Sequence, residues 1–231
     1  MPVAFDAITI FPATEATGNF SETHTPAGTP RGVIVLINQE ETVGSDEVTS
    51  VTYGGVPLAE VPLSPVINTA GEGGVVYGYY LGSSVPAGAQ TVTVNVDAGG
   101  SPKKAACLTL TAAVDTEVVD TSEINSGAGT IANPSETVSL GGRTCFVCQV
   151  WYSGQADPSS VTPLANWTDR NEYDYGGTCA RFYTYDTIAA IDITAGYTAS
   201  ADDVVLLAIA ASEVQAAARV LAGPMFLNGG S

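Results

Sequence analysis

The sequence predicts an all-β protein, and three observations lead to that prediction. Val- and Thr-rich runs alternate in polarity, Gly-Gly pairs separate many of these runs, and charge is scarce. Hydrophobic residues make up 45% of the chain and charged residues only 13%, so Thr, Ser, Gly and Asn must supply most of the polar surface, as sheet faces readily accept. About a dozen short strands with regular turns predict a two-sheet antiparallel β-sandwich, jelly-roll-like or immunoglobulin-like.

The segment TSVTYGGVPL, residues 49–58, is the clearest turn in the sequence. Glycine adopts positive φ without strain, and the two-residue turns of twisted hairpins require positive φ. The sequence therefore predicts a hairpin in which one strand ends at Tyr53 and the next begins near Val56. Further Gly-Gly pairs separate predicted strands at residues 73–74, 99–100, 141–142 and 176–177.

Alternation and continuous apolar runs predict the remaining strands. The nearly continuous runs GVIVLIN (32–38) and CFVCQVWY (145–152) are typical of central strands that are covered on both faces. In QTVTVNV the inward residues are Val92, Val94 and Val96, and in CLTLTAAV they are Leu108, Leu110, Ala112 and Val114. The other predicted strands are Val3–Phe11, Val75–Leu81, Glu136–Leu140, Ala180–Thr184 and Asp203–Ala211.

Residues 1–213 are predicted to form a single sandwich domain, with an N-terminal strand and arm over residues 1–29. The segment SEVQAAARVLAG is rich in helix formers and is followed by Pro224, so residues 214–231 are predicted to be a short helix or an extended tail. This tail carries Met225, Phe226 and Leu227. Exposed apolar side chains are a liability on a monomer, so we expect them to dock on the domain or on a neighbouring subunit.

The charge balance excludes two classes of partner. The chain has 24 acidic and 7 basic residues, a net charge of -17, and phosphate contacts need clustered Lys and Arg, so nucleic acid and anionic membrane are not expected partners. The acidity either keeps the protein soluble or complements a basic patch on a partner. The N-terminal MPVAFDAITIF lacks the basic region of a signal peptide, and the longest apolar run, Val204–Ala211, is far shorter than a bilayer span, so a soluble protein made in a cytoplasm is expected.

Catalytic and metal-ligating patterns are weak. Cys145 and Cys148 have C-x-x-C spacing, but residues three apart on a strand point to opposite faces, so buried free thiols are expected rather than a metal site. His24 lies in the polar segment SETHTPAGTP, which predicts a solvated loop, and no G-x-S-x-G elbow accompanies it. We therefore predict no catalytic residue, no metal and no cofactor, and a protein that is not an enzyme.

The most concentrated polar stretch is NWTDRNEYDYGG, residues 166–177. Its candidate contact residues are Trp167, Tyr173 and Tyr175, beside acids at Asp169, Glu172 and Asp174. Three interpretations stay open: a solvated loop at the sandwich edge, a sugar- or protein-binding edge that uses aromatic stacking, and a calcium loop, although EF-hand spacing is absent.

The segments EVTSVTYGGVPLAEV, VVYGYYLGSSVPAGAQTVTVNV, AACLTLTAAVDT and DDVVLLAIAAS occur in that order. Together they resemble a β-sandwich module that recurs in virion proteins of tailed bacteriophages and in bacterial surface proteins, and the resemblance covers residues 30–213. Its motifs are turns and core positions, so it implies a fold and carries no catalytic residues.

The resemblance implies a structural virion protein, assembled in the host cytoplasm, most simply a capsid decoration (cement) subunit. The expected partners are a major capsid protein or tail proteins, and other copies of this chain as a homo-oligomer. Two alternatives stay open: a tail- or fibre-associated virion protein, and a carbohydrate-binding or adhesin module that uses the aromatic edge near Trp167.

Overall fold

A computed structural model describes residues 2–14, 19–40, 46–68, 74–97, 101–127, 129–154, 161–174 and 179–215. All regular secondary structure in these residues is β-strand, which confirms the all-β prediction. Residues 216–231, with most of the predicted C-terminal helix and with Met225, Phe226 and Leu227, lie outside the described residues. Ser212 and Glu213, at the start of that helix prediction, are instead the last two residues of a strand.

The first half of the chain forms two antiparallel sheets. The first inner sheet has the order β1-β10-β3-β8-β6, with β7 also paired to β8, and the first outer sheet has the order β2-β9-β4-β5. Their strands are β1 (Ala4–Ile10), β2 (Phe20–His24), β3 (Gly32–Glu40), β4 (Val48–Tyr53), β5 (Val56–Pro57), β6 (Ala59–Glu60), β7 (Val66–Ile67), β8 (Gly74–Leu81), β9 (Gln90–Val96) and β10 (Lys103–Thr111).

The second half also forms an inner and an outer sheet. The second inner sheet has the order β11-β18-β13-β16-β15, and the second outer sheet has the order β12-β17-β14. Their strands are β11 (Thr116–Asn125), β12 (Ser135–Val138), β13 (Cys145–Ser153), β14 (Thr162–Pro163), β15 (Trp167–Asp174), β16 (Cys179–Ala189), β17 (Ile193–Thr198) and β18 (Val204–Glu213).

The second half repeats the strand order of the first. In each inner sheet the first strand of the half pairs with its last strand, which pairs with the third, and each outer sheet begins with the second strand. The first strands also share a defect, because pairing shifts by one residue between Phe5 and Ala7 in β1 and between Val118 and Asp120 in β11. The chain is therefore an internal repeat of one sandwich, joined by the short connection between Thr111 and Thr116.

Three hydrophobic cores separate the four sheets. The first outer core lies between the first outer and first inner sheets and includes Val35 and Val94. The middle core lies between the two inner sheets and includes Leu36 and Leu207. The second outer core lies between the second inner and second outer sheets and includes Trp151. Burial of apolar area in these three layers is the main stabilising contribution to the fold.

The two inner sheets face each other with reciprocal edges. The ring of Phe5 in β1 stacks on Phe146 in β13 with 6.2 Å between centroids, and the Arg170 guanidinium of β15 lies 4.6 Å from the Phe5 centroid. At the opposite edge, Asn125 of β11 donates a 2.8 Å hydrogen bond to the Ile67 carbonyl of β7. Each half thus covers the edge of the other.

The sandwich class is confirmed, but the number of sheets is four rather than two. β3 and β13 are central strands buried on both faces, as predicted. Val92, Val94 and Val96 all face the first outer core as predicted. Val114, predicted to face inward, is 47% exposed because β10 ends at Thr111.

The Gly54–Gly55 hairpin is confirmed. Tyr53 of β4 pairs with Val56 of β5, and the two glycines have φ of +57° and +80°. Gly141 and Gly142 have nearly the same values, +57° and +74°, in the turn before β13. Both turns use glycine because an L side chain is strained at positive φ.

Candidate functional site

The polar stretch at residues 166–177 is not a loop over its first part. Residues 167–174 form β15, the edge strand of the second inner sheet, so the solvated-loop prediction is wrong there. Tyr173 belongs to β15 and pairs with Ala180 through the backbone. Tyr175 lies outside the described residues.

Trp167 is buried, which corrects its assignment as an exposed stacking residue. Its side chain is in the second outer core and the residue is only 6% exposed. The indole Nε1–H donates a 2.9 Å hydrogen bond to the Thr194 carbonyl, and the Tyr185 ring meets it edge-on at 5.4 Å. Trp167 therefore holds β15 against β17 and offers no open face to a sugar.

The acidic residue Asp169 in this stretch has a structural partner. Its carboxylate accepts a 2.6 Å bond from the guanidinium of Arg181, which lies on the neighbouring strand β16 and is nearly buried. Within the described part of the chain, no group of three or more His, Cys, Asp and Glu side chains has the arrangement of a metal site.

His24 is completely buried, so its prediction as a solvated loop residue is wrong. It ends β2, and its ring nitrogens lie 2.9 Å from the Thr9 hydroxyl and 3.0 Å from the Thr109 hydroxyl. The Thr109 hydroxyl donates to the Asp6 carboxylate at 2.9 Å, so Thr109 accepts from Nε2–H and the Thr9 hydroxyl donates to Nδ1. Burial lowers the pKa of His24, and Asp6 partly opposes that shift. The histidine fastens the outer sheet to the inner sheet.

All four cysteines are buried and free, as predicted. Cys145 faces the second outer core while Cys148 faces the middle core, so the two sulfurs of the C-x-x-C pattern lie on opposite faces of β13. Burial raises the pKa of the Cys148 thiol well above its usual range. These thiols are core residues.

One end of the second inner sheet carries a group of exposed apolar side chains. At this end β11 begins, β18 ends and β16 leads into its turn, as the pairings Thr116↔Glu213 and Cys145↔Ala189 show. Its exposed side chains, here called the apolar end, are Val114 (47% exposed), Ile188 (46%), Ile191 (78%) and Val214 (44%). Leu63 is the other large hydrophobic residue that is exposed in the described chain, and it lies at the β6–β7 edge instead.

Sequence patterns did not point to the apolar end. Ile188 and Ile191 lie in the run TIAAIDIT, where alternation assigns them to neither face of a strand clearly. The usable signal was the absence of glycine, asparagine or proline in the turn between β16 and β17, which leaves apolar residues at its tip.

The basic residues are largely withdrawn from the surface. Lys103, Lys104 and Arg181 are buried, and Arg143 is paired with Glu117 at 2.6 Å. The exposed acids include Asp46, Glu60, Asp97, Glu123, Glu136 and Asp192. The accessible surface is therefore more anionic than the composition alone indicates, and its field repels other anionic surfaces.

Comparison of the chain with protein-family models, curated proteins and solved structures finds no significant match. Among the described residues, no helix has the length and the apolar character that a bilayer-spanning helix needs.

Proposed function

We propose that this chain is a structural virion protein of a tailed bacteriophage, a capsid decoration subunit that docks on the particle through its apolar end. The proposal rests on the resemblance of residues 30–213 to virion sandwich modules and on one observation about the surface. That observation is the gathering of Val114, Ile188, Ile191 and Val214 at one end of an otherwise polar molecule.

The one-ended distribution suits a subunit with a defined orientation. Large apolar side chains that cluster on a protein surface mark interaction sites, whereas scattered ones need no explanation. Repetition over many capsid positions gives useful avidity even where each contact is weak. The chain leaves β18 for its C-terminal segment at this same end, beside Val214.

The anionic surface supports the same proposal. A protein of net charge -17 whose cations lie mainly in its interior repels its own copies in solution. Such a subunit stays dispersed until a complementary surface offers apolar contacts and basic groups together. We therefore propose a partner of basic character, a capsid or tail protein, with copies of this chain arranged around it.

Co-sedimentation with particles tests the proposal. The purified chain is mixed with empty expanded shells of the phage that encodes it, and the shells are pelleted. Binding at a fixed ratio to shell protein is expected. Val114→Asp, at the apolar end, should weaken binding at least about tenfold, which corresponds to about 1.4 kcal/mol.

Leu63→Asp is the matched control, because Leu63 is 49% exposed and Val114 is 47% exposed, yet Leu63 lies away from the apolar end. It should leave binding unchanged. No binding to shells would contradict the decoration role, and antibody labelling of the tail alone would move the protein to the tail or fibre. Reproducible binding on a glycan array without binding to particles would favour the adhesin alternative.

A further inference from the structure

Next to the apolar end runs an apolar groove. A cavity of about 270 Å³ is lined by Phe5, Phe146, Arg170, Tyr185, Thr187 and Ile188. It continues into a cavity of about 460 Å³ beneath the β16–β17 turn, because Tyr185, Thr187 and Ile188 line both. The second cavity is within the size range of ligand sites, and its walls include Leu164, Ile191 and Ile193.

The described chain ends beside this groove. Val214 and Gln215 lie in a third concavity, of about 430 Å³, whose wall also contains Val3 and Thr144. Val3 and Thr144 are each two residues from a lining residue of the groove, Phe5 and Phe146 respectively. The path from the end of β18 to the groove is therefore short and follows the same end of the molecule.

The segment that follows Gln215 is long enough to reach the groove. β18 and β16 both pair with β13, so Glu213 and Ala189 are two strand spacings apart, about 10 Å. The ten residues from Ala216 to Met225 span up to about 33 Å when extended. Closing a loop of this length across so small a gap has a modest entropic cost.

The chemistry of the segment matches the groove. Residues 214–231 contain no acid, and they include Arg219 and the apolar run Met225, Phe226 and Leu227. All 24 acids and six of the seven basic residues precede Val214. The C-terminal segment is thus weakly cationic beside a strongly anionic body, and Asp192 is an exposed acid on the wall of the larger cavity.

We infer that Met225–Leu227 of the chain itself packs into the groove between Phe5 and Ile191. The segment supplies apolar side chains to an apolar concavity that opens at the point where the segment starts. Docked there, it shields Ile188 and Ile191 in the isolated protein and leaves Val114 accessible. The inference concerns the isolated chain and does not depend on the proposed function.

Disulfide cross-linking of the full-length chain tests this inference. In the double variant Ile191→Cys/Leu227→Cys, mild oxidation should form an intramolecular bond several-fold faster than in Leu63→Cys/Leu227→Cys, which places the first thiol at the β6–β7 edge. The four native cysteines are buried, so they contribute little background. Peptide mapping and non-reducing electrophoresis identify the bond and show whether it lies within one chain.

Adding Phe226→Asp to the Ile191→Cys/Leu227→Cys variant should lower its cross-linking rate to that of the Leu63 control, since a carboxylate disfavours the apolar groove. Equal rates for the two double variants from the start would overturn the inference. Cross-linked dimers in place of intramolecular bonds would also overturn it, because the occupant would be a second copy. An intramolecular bond in a chain that fails to sediment with shells would support this inference while contradicting the proposed function.

Discussion

The two sandwiches share a strand order but close their outer cores with different chemistry. In the first, buried Lys103 of β10 pairs with Glu47, and His24 links β2 to β1 and β10. In the second, Trp151 of β13 stacks on Tyr197 of β17 with centroids 4.0 Å apart. The comparison shows that one topology accepts either polar or aromatic links between its inner and outer sheets.

The polar side chains of both outer cores have defined partners. The Glu47 backbone N–H donates to the Tyr77 hydroxyl at 3.1 Å, and that hydroxyl donates to Gln39 at 3.1 Å. In the second sandwich, the Gln149 amide exchanges two hydrogen bonds with the Gly196 backbone, at 2.9 and 2.8 Å. Because a buried polar group that loses its partner is destabilising, these contacts also fix how the sheets align.

The largest expected effect is removal of the aromatic link. Trp151→Ala should lower the free energy of unfolding by about 3–5 kcal/mol, because a fully buried indole is replaced by a cavity. Trp151→Phe keeps a ring against Tyr197 and should cost less than half as much. Urea denaturation followed by circular dichroism measures both. A loss below about 1 kcal/mol for Trp151→Ala would show that the second outer core does not depend on the stack.

Breaking the buried ion pair should have the next largest effect. Glu47→Gln leaves the Lys103 ammonium, which has no exposed surface, without its counter-charge, so a loss of about 2–4 kcal/mol is expected. Asp169→Asn is the comparison in the second sandwich. The Asp169 side chain is 28% exposed, so water compensates in part and a loss of about 1 kcal/mol is expected.

The double variant Lys103→Met/Glu47→Leu completes that experiment, since replacing both charges with apolar groups removes the unpaired ion. Its stability should return most of the way to that of the wild type. A double variant as unstable as Glu47→Gln would show that the charges are needed for packing rather than for mutual neutralisation.

The equivalent turns of the two halves provide a smaller test. Gly54→Val and Gly141→Val should each cost about 1–3 kcal/mol, because both glycines have φ of +57°. Gly54→Val should cost more, since a Cβ there would lie 2.3 Å from the Gln90 side-chain oxygen, whereas nothing lies within 4 Å of a Cβ at Gly141. Thermal melts of the two variants compare them directly, and an unchanged midpoint for Gly54→Val would contradict the hairpin.

The smallest expected effect is a pH dependence of the polar link at His24. The pKa of this residue is lowered in the folded protein, so near pH 6.5 the unfolded chain binds more protons than the folded chain. Stability should therefore fall as the pH drops below about 6.5. His24→Asn should reduce this fall, measured as the difference in urea midpoint between pH 7.5 and pH 5.5. The same fall in both proteins would assign it to carboxylates.

Local patterns predicted the strands whose signal lies in the strand itself. β3 and β13 were recognisable because continuous apolar runs require cover on both faces, and the Gly54 turn because glycine is the residue that turn needs. The same runs held more information, since a two-sheet sandwich covers only one face of each sheet. β3 and β13 belong to different inner sheets, so a second covering layer was needed for each.

Burial that depends on distant contacts was not predictable. His24 sits in a polar segment, and only the pairing of β2 beside β1 and β10 takes it out of water. Trp167 lies among charged residues, and its burial depends on β17, near Thr194. Composition predicted the acidic character but not the withdrawal of Lys103 and Arg181 from the surface, because their positions follow from strand register.

The shared middle core has a consequence for synthesis of the chain. Residues of β3, β8 and β10 that face it emerge from the ribosome about a hundred residues before β18, whose side chains cover them. At about 5–20 residues per second, the gap is on the order of 5–20 s. During that interval the nascent first half displays a bare apolar sheet, which makes it a natural client for a chaperone until the second half is translated.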